Sequence, residues 1–306
     1  MAITRTTRKT KSAVRKDSRI SKTAGSRRVR ESLQPAVQTG YAPVNGLNMY
    51  YEIHGAGEPL LLLHGGVGGI EMFGPNLAAL AKHRKVIAVD FQGHGRTTDI
   101  DRPLRSEFMA DDMAALTKYL GIGKTDVVGN SLGGGIALQL AIRHPELVRK
   151  LVLVSTVFRR DGWFPEIQNA FAQMGPQAAQ GIKQSPLAQL YPGVDWDMLF
   201  TKIGELETRD YDWSQDVAAL KVPTLLVFAD ADSIQPTHIL EFYRLLGGGQ
   251  HDAGLDGSGR SIHQLAILPG TTHYDIDHSA RLASTIIPFL EAPAPTASLG
   301  SSNPSS

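Results

Sequence analysis

The segment Gly129-Asn130-Ser131-Leu132-Gly133 holds a serine between two glycines, after an aliphatic run and before a helical pattern. A side chain that projects from a sharp strand-to-helix turn leaves little room beside it, and glycine supplies that room and tolerates strained backbone. At the start of the helix, the positive end of the helix dipole would also stabilise an oxyanion. The alternative is a serine that only caps the helix. We interpret Ser131 as a nucleophile.

A serine hydroxyl needs a neighbouring base to take its proton, and histidine is the usual choice. Among the ten histidines, His273 follows the aliphatic run Gln264–Leu268 and lies after Ser131 in the chain. That order is expected when the nucleophile occupies a strand-to-helix turn of a parallel sheet. His94 precedes Ser131, so we assign it to loop structure and pocket shape, and we predict His273 as the base.

Two aspartates, Asp230 and Asp232, follow the aliphatic run Thr224–Phe228 and compete for the role of the acid. The base needs a carboxylate that fixes its tautomer and stabilises the imidazolium ion. Asp232 lies farther from the run, beyond the turn, where it can reach the histidine of the next strand. Asp230 lies closer and would instead cap the following helix or brace the loop. We predict Asp232 as the acid.

A glycine-rich loop, residues 64–69, follows the first long aliphatic run and lets backbone N–H groups approach a substrate closely. We predict that the N–H groups of Leu132 and Gly66 form the oxyanion hole, with Val67 in place of Gly66 if the loop is shifted by one residue. Such a loop can also cradle phosphate, but no Gly-Lys-Ser/Thr ends it and its glycine spacing does not match a dinucleotide site. The sequence therefore predicts a reaction that needs no metal and no organic cofactor.

Short aliphatic runs that alternate with helical patterns position these residues. The runs are continuous, which is typical of strands buried on both faces of a sheet. We predict strands at 41–44, 47–53, 60–63, 85–90, 125–130, 151–155, 224–228 and 264–268, the first two joined by an Asn-Gly turn. We predict helices at 105–120, 132–143, 237–246 and 278–290. The alternation predicts an α/β fold with a mostly parallel sheet, in which ligands bind at the carboxyl ends of the strands.

Residues 157–220 interrupt the alternation, since they contain no clear strand and hold all three tryptophans. We interpret this segment as a helical cap that lines an apolar pocket over the strand ends, with ordinary packing helices as the alternative. The predicted pocket residues are His64, Gly65, Asn130, Trp163 and Phe164. The predicted core comprises residues 41–156 and 221–291.

The chain has 306 residues, a formal net charge of +1 and no cysteine. The lack of cysteine excludes disulfides, thiolate metal sites and a cysteine nucleophile, and favours a reducing compartment, so we expect a cytoplasmic protein. Residues 1–31 hold eleven Lys and Arg against two acidic residues, and we predict a disordered basic tail over 1–40. Residues 292–306 are rich in Ala, Pro, Ser and Gly and predict a second disordered tail.

The loops 64–66 and 90–96, the segment 129–134, Asp232 and His273 together resemble the hallmarks of the α/β-hydrolase superfamily over residues 41–290. The resemblance implies an eight-stranded, mostly parallel sheet flanked by helices, with the cap after the sixth strand. Haloalkane dehalogenases and epoxide hydrolases carry Asp at the position of Ser131, which argues against those branches. The lack of cysteine excludes members similar to dienelactone hydrolase.

The turn with Asn130 and Gly133-Gly134 is similar to that of meta-cleavage-product C–C hydrolases. Those enzymes also use an arginine of the cap, which implies Arg159 or Arg160 here. Tyr274 departs from their pattern, because they often carry tryptophan after the base.

We therefore expect a serine hydrolase that cleaves a carboxylic ester or a lactone through an acyl-enzyme. C–C bond hydrolysis of a vinylogous diketone by the same three residues is the first alternative, and a hydrolase-fold protein that binds a ligand without turnover is the second. The expected partner is a small molecule. No apolar run approaches the length of a membrane span, so we expect no membrane partner, and nucleic acid would be contacted only by the basic tail. The sequence predicts neither the oligomeric state nor a role for the glycine-rich loop 247–260.

Overall fold

A hairpin opens the part of the chain that this computed structural model describes, residues 36–293. Asn45 and Gly46 form its tight turn with φ angles of 46° and 87°. The turn joins β1 (Gln38–Val44) to β2 (Leu47–His54), and the two strands pair antiparallel. Strand β1 begins three residues before the expected core boundary, because residues 38–40 pair with β2. The remainder of the two predicted tails, residues 1–35 and 294–306, lies outside the described residues.

Six further strands complete one eight-stranded sheet in the order β1-β2-β4-β3-β5-β6-β7-β8. They are β3 (Pro59–Leu63), β4 (Lys85–Val89), β5 (Thr125–Asn130), β6 (Val148–Val154), β7 (Thr224–Ala231) and β8 (Gln264–Thr272). Strands β3 to β8 pair parallel, and β2 pairs antiparallel with β4. The predicted eight-stranded, mostly parallel sheet is confirmed.

Helices cover both faces of this sheet. They are α1 (Gly74–Ala81), α2 (Ser106–Tyr119), α3 (Leu132–Arg143), α9 (Pro236–Leu245) and α10 (Ala280–Glu291). Neighbouring side chains of β3 face opposite ways: Leu61 packs in the same cluster as Ile136 of α3, and Leu62 in the same cluster as Phe289 of α10. Helix α1 was not among the predicted helices, because its Gly74-Pro75 start is typical of a turn.

Five α-helices lie between β6 and β7, in the segment predicted as a cap. They are α4 (Pro165–Ala172), α5 (Ala179–Lys183), α6 (Pro186–Leu190), α7 (Trp196–Thr208) and α8 (Ser214–Ala219). Lys202 of α7 reaches the loop after β4, where its Nζ donates to Asp99 Oδ2 at 2.6 Å and to the carbonyl of Ile100 at 2.8 Å. Tyr191 donates its hydroxyl to Glu71, in the loop after β3. These contacts hold the cap helices against two loops of the sheet. Within residues 36–293, no helix combines the length and the apolar character needed to cross a bilayer.

Candidate active site

Ser131 occupies a strained turn between β5 and α3. Its backbone has φ 52° and ψ −115°, in the left-handed half of the map that residues with a side chain rarely adopt. A Cβ on Gly129 would lie 2.1 Å from the carbonyl oxygen of Gly133, and a Cβ on Gly133 would lie 2.3 Å from the carbonyl oxygen of Leu63. Any side chain at Gly129 or Gly133 would therefore overlap a neighbouring backbone carbonyl group. The turn places Ser131 at the carboxyl end of β5.

His273 and Asp232 lie in line with the Ser131 hydroxyl. Ser131 Oγ is 3.0 Å from His273 Nε2, and His273 Nδ1 is 2.9 Å from Asp232 Oδ1. The Asp232 side chain is 1% exposed, and its other oxygen, Oδ2, accepts hydrogen bonds from Ser155 Oγ at 2.5 Å and from the Ala229 N–H at 2.9 Å. With Oδ2 occupied by these two donors, Oδ1 is directed at the imidazole, which fixes the tautomer with a proton on Nδ1 and leaves Nε2 to accept the serine proton.

The local register of β7 and β8 explains this arrangement. The pairing shifts between Ala229 and Ala231, so that Ala231 pairs with Thr272, the residue before His273. Asp230 is exposed and accepts a hydrogen bond from the Thr271 N–H at 3.1 Å. Backbone N–H donors from Gly270 and Thr271 lower the pKa of Asp230. Asp230 thus braces the two strand ends, and Asp232 is the carboxylate that contacts the histidine.

The predicted oxyanion residues lie beside Ser131. Gly66, Val67 and Leu132 all line the cavity that Ser131 faces. A Cβ on Gly66 would lie 3.7 Å from Leu132 Cδ2, so the glycine-rich loop runs directly past the start of α3. Leu132 is the first residue of α3, and its N–H therefore has no acceptor within the helix. Val67 has φ 61°, which shows that the loop turns sharply after Gly66.

His64 lies behind this loop and not in the pocket. Its side chain is fully buried, its Nδ1 is 2.6 Å from the Gly65 carbonyl oxygen, and its Nε2 accepts from the Phe91 N–H at 3.3 Å. Burial lowers the pKa of His64 to about 4, so the ring is neutral and donates from Nδ1. His64 therefore shapes the loop, and its predicted place in the pocket is wrong.

A cavity of about 510 Å³ opens above Ser131, between the strand ends and the cap helices. Gly65, Asn130 and Trp163 line it as predicted, but Phe164 does not. Its wall is mostly apolar. The larger aliphatic and aromatic side chains come from the loop after β3, from α4, from the segment after α4 and from α7, and include Met72, Ile167, Phe171, Met174 and Ile203. The Trp163 ring packs edge-on against the His273 ring, with 5.3 Å between centroids. The cavity thus encloses the hydroxyl–imidazole pair in an apolar surround.

Neither candidate cap arginine lines this cavity. Arg159 pairs with Asp161 at 2.6 Å and with Glu241 at 3.1 Å. Arg160 pairs with Asp210 at 3.4 Å. Both guanidinium groups are held by surface carboxylates, and the described residues that line the cavity include no lysine and no arginine. The implied arginine contact to a substrate is therefore absent from this cavity wall.

Glu207 is a cavity residue that the sequence did not single out. It lies on α7 one turn after Ile203, and both residues line the cavity. Burial raises the pKa of Glu207 to about 7. The spacing of four residues places Ile203 and Glu207 on one face of the helix. An acidic residue on the same helix face as apolar residues was the sequence feature that could have identified Glu207 as a cavity residue.

Among residues 36–293, no group of three or more His, Asp or Glu side chains is arranged to hold a metal ion. The candidate site therefore consists of the side chains of Ser131, His273 and Asp232, with backbone N–H groups beside them.

The chain belongs to the α/β-hydrolase superfamily, and the sequence pattern of the alpha/beta hydrolase fold family matches residues 58–183. RutD of Azorhizobium caulinodans, named as a carbamate hydrolase, is 31% identical over 224 residues, which are 65% of this chain and 83% of that protein. The 2-hydroxymuconate semialdehyde hydrolase of Pseudomonas sp. strain CF600 is 42% identical over 109 residues, 33% of this chain and 38% of that protein. The enol-lactonase of Burkholderia xenovorans LB400 superposes with a TM-score of 0.65 at 23% identity, covering 82% of this chain and 100% of that one. The protein is thus similar to hydrolases of several substrate classes.

Proposed function

We propose that this protein is a serine hydrolase that cleaves carboxylic esters or lactones through an acyl-enzyme on Ser131. The observation that carries the proposal is the contact of Ser131 Oγ with His273 Nε2 at 3.0 Å, backed by Asp232 at 2.9 Å from His273 Nδ1. A hydroxyl, an imidazole and a buried carboxylate in that order are the groups needed to activate serine. We also expect the cytoplasm as its location, because the chain has no cysteine.

In the proposed reaction, His273 takes the proton of Ser131 as Oγ attacks the substrate carbonyl. The oxyanion faces the Leu132 N–H and the N–H of Gly66, or of Val67 if the substrate sits one residue farther along the loop. The buried Asp232 carboxylate stabilises the imidazolium ion that forms. His273 then protonates the leaving oxygen, the C–O bond breaks, and a water activated by His273 releases the acid and restores Ser131.

The cavity wall argues against an anionic acyl part of the substrate. An anionic acyl part would enter a cavity that is lined by the acidic residues Glu207 and Asp277 and by no lysine or arginine among the described residues. Such a charge would lose its hydration without gaining a cationic partner. This favours esters and lactones over the anionic ring-fission products that C–C hydrolases cleave.

Carbamate hydrolysis is a second candidate, because the similarity to the relative named as a carbamate hydrolase extends over 224 residues. The same three residues would attack the carbamate carbonyl, and the leaving alcohol would take its proton from His273. A p-nitrophenyl carbamate tests this candidate with the same optical readout as the esters.

The deciding experiment is hydrolysis of p-nitrophenyl esters from acetate to laurate by the wild type and by Ser131→Ala. We expect turnover by the wild type and a loss of about 10⁴-fold or more in the variant. Ser284→Ala, an exposed serine on α10, is the matched control and should keep full activity. Ester turnover that survives Ser131→Ala would refute the proposal.

Two results would redirect the assignment. Labelling of Ser131 by a fluorophosphonate without ester turnover would move the assignment to carbamates or, if a yellow ring-fission product is bleached, to C–C hydrolysis. If Ser131 is not labelled and no ester is hydrolysed, the ligand-binding alternative is favoured.

A further inference from the structure

A recess of about 20 Å³ adjoins the main cavity beside the nucleophile. The two spaces share Ser131, Leu132, Trp163 and Glu207 as lining residues. A volume of that size accommodates about one water molecule or one small polar group such as –NH₃⁺ or –OH. The recess is therefore large enough for one small terminal group of a ligand, and its lining residues determine which group would fit it.

Most of the polar residues that border this recess carry an oxygen in the side chain, and two tryptophans, Trp163 and Trp213, border it as well. Ser106, Thr156, Glu207 and Tyr211 each border it with a side chain that carries an oxygen. Burial raises the pKa of Tyr211 well above its usual value, so its hydroxyl is neutral and offers lone pairs as well as a proton. No lysine, arginine or histidine borders the recess within the described part of the chain. The recess is thus bordered by several hydrogen-bond acceptors and by the indole N–H of Trp163, and none of its described lining residues is a cation.

Glu207 has no partner for its carboxyl group among residues 36–293. Burial is the single cause of its raised pKa, with no charged group and no hydrogen bond contributing. Arg160 donates from Nε to the Glu207 main-chain oxygen at 3.3 Å and pairs through Nη1 with Asp210, so it does not pair with the Glu207 carboxyl group. The Glu207 side chain lines the cavity, so a ligand that carries a hydrogen-bond donor can supply the partner that the described residues do not.

The recess borders on α3 and on the residues after β6, and His273 does not line it. The leaving oxygen must face His273 Nε2 to receive its proton, and His273 lines the main cavity but not the recess. The recess borders instead on Gly135 of α3 and on Thr156 and Val157, the residues that follow β6. A group in the recess therefore belongs to the acyl part, on the side away from the histidine.

We propose that the recess binds a primary ammonium group carried by the acyl part of the substrate, with Glu207 as its carboxylate partner and Ser106 and Tyr211 as further acceptors. An ammonium group has three donors and no acceptor, which matches a small space bordered by one carboxyl and several hydroxyl oxygens. The inference rests on the proposed function, since it names the substrate class for the same site.

The test measures inhibition of p-nitrophenyl butyrate hydrolysis at pH 8 by n-alkylamines, n-alcohols and n-alkanoates of two to six carbons. We expect the inhibition constant of the best amine to be lower by about tenfold or more than those of the alcohol and the carboxylate of equal length. Glu207→Gln should remove that preference, and Tyr211→Phe should reduce it. Glu205→Gln, an exposed carboxylate on the same helix, should retain it. Amines that inhibit no better than alcohols, or a preference that survives Glu207→Gln, would overturn the inference.

Calorimetric titration with the same amines separates this inference from the proposed function. Amine binding that depends on Glu207, without any ester turnover, supports the recess and refutes the esterase. Ester turnover with amine binding that is unchanged in Glu207→Gln supports the esterase and refutes the recess. Thermal unfolding followed by circular dichroism verifies that each variant is folded.

Discussion

Ser155 donates its hydroxyl to Asp232 Oδ2 at 2.5 Å, on the side of the carboxylate opposite to His273. Ser155 follows β6 directly and has φ 45°, so the chain adopts an unfavourable backbone conformation where this contact is made. Two strand ends therefore cooperate: β6 supplies the group that orients the acid, and the loop after β7 supplies the acid itself.

Ser155→Ala should lower kcat by about tenfold and leave KM nearly unchanged, because the acid loses one of the donors that fix its orientation. Ser155→Thr should restore part of the lost rate, since the hydroxyl is kept. Steady-state kinetics on one p-nitrophenyl ester gives both constants. An unchanged kcat in Ser155→Ala would show that the Ala229 N–H alone orients Asp232.

Asp232→Asn should reduce kcat/KM by about 10⁴-fold, because the amide can no longer stabilise the imidazolium and favours the wrong tautomer. Asp230→Asn is the matched control two residues away and should cost less than about tenfold, since Asp230 is exposed and contacts only the backbone of the next strand. The same ester assay compares them. The opposite ranking would reassign the acid to Asp230.

Gly129→Ala should destabilise the protein by about 3 kcal/mol or more, because the new Cβ would overlap the Gly133 carbonyl oxygen at 2.1 Å. Gly123→Ala is the matched control, since nothing lies within 4 Å of a Cβ at that position. Urea unfolding curves give both free energies of unfolding. Equal stability of the two variants would mean that the turn relaxes to admit a side chain.

Stability should fall as the pH drops below 6.5, because burial lowers the pKa of His64 and His238 to about 4 and that of His94 to about 3. Between those values and 6.5 the unfolded chain binds more protons than the folded one, which favours unfolding in acid. Each histidine should contribute about 2 kcal/mol of lost stability at pH 5. Glu207 acts in the opposite sense, since its raised pKa lets the folded state keep a proton that the unfolded chain releases.

His94→Gln isolates one of these contributions. The difference in unfolding free energy between pH 7 and pH 5 should shrink by about 2 kcal/mol relative to the wild type. His251→Gln, at an exposed position, should leave the difference unchanged. A His94→Gln variant with the full pH dependence would show that this ring is not buried in its neutral form.

The residues that the sequence predicted best are those fixed by local backbone constraints. The turn around Ser131 needs glycine at defined places, and His273 follows a recognisable strand, so pattern and chain order located both. The structure brings them together with Asp232. Strands β3 to β8 were predictable from continuous aliphatic runs, which have few alternatives in an α/β protein. Strands β1 and β2 were predictable from the Asn45-Gly46 turn that joins them.

The pocket was predicted less well because it depends on which way side chains face. His64 is next to the oxyanion loop in sequence but is turned toward Phe91, with 4.2 Å between ring centroids. Arg159 and Arg160 point to carboxylates outside the cavity. Glu207 lines the cavity because the face of α7 that carries Ile203 and Glu207 is turned toward it. Which face of a short helix is turned inward depends on how the neighbouring helices pack against it, and the sequence of one helix alone does not predict this.

Lys202 and the other residues of the cap come from one continuous stretch between β6 and β7, whereas Ser131, Asp232 and His273 all come from outside it. Helices α4 and α7 of this stretch contribute Ile167, Ala170, Phe171, Ile203 and Glu207 to the cavity wall. Substitutions within this one stretch can therefore change the shape of the cavity while Ser131, Asp232 and His273 remain unchanged. A cap segment transplanted onto another sheet of this fold would therefore carry its part of the cavity wall with it and leave the three reacting groups of the host in place.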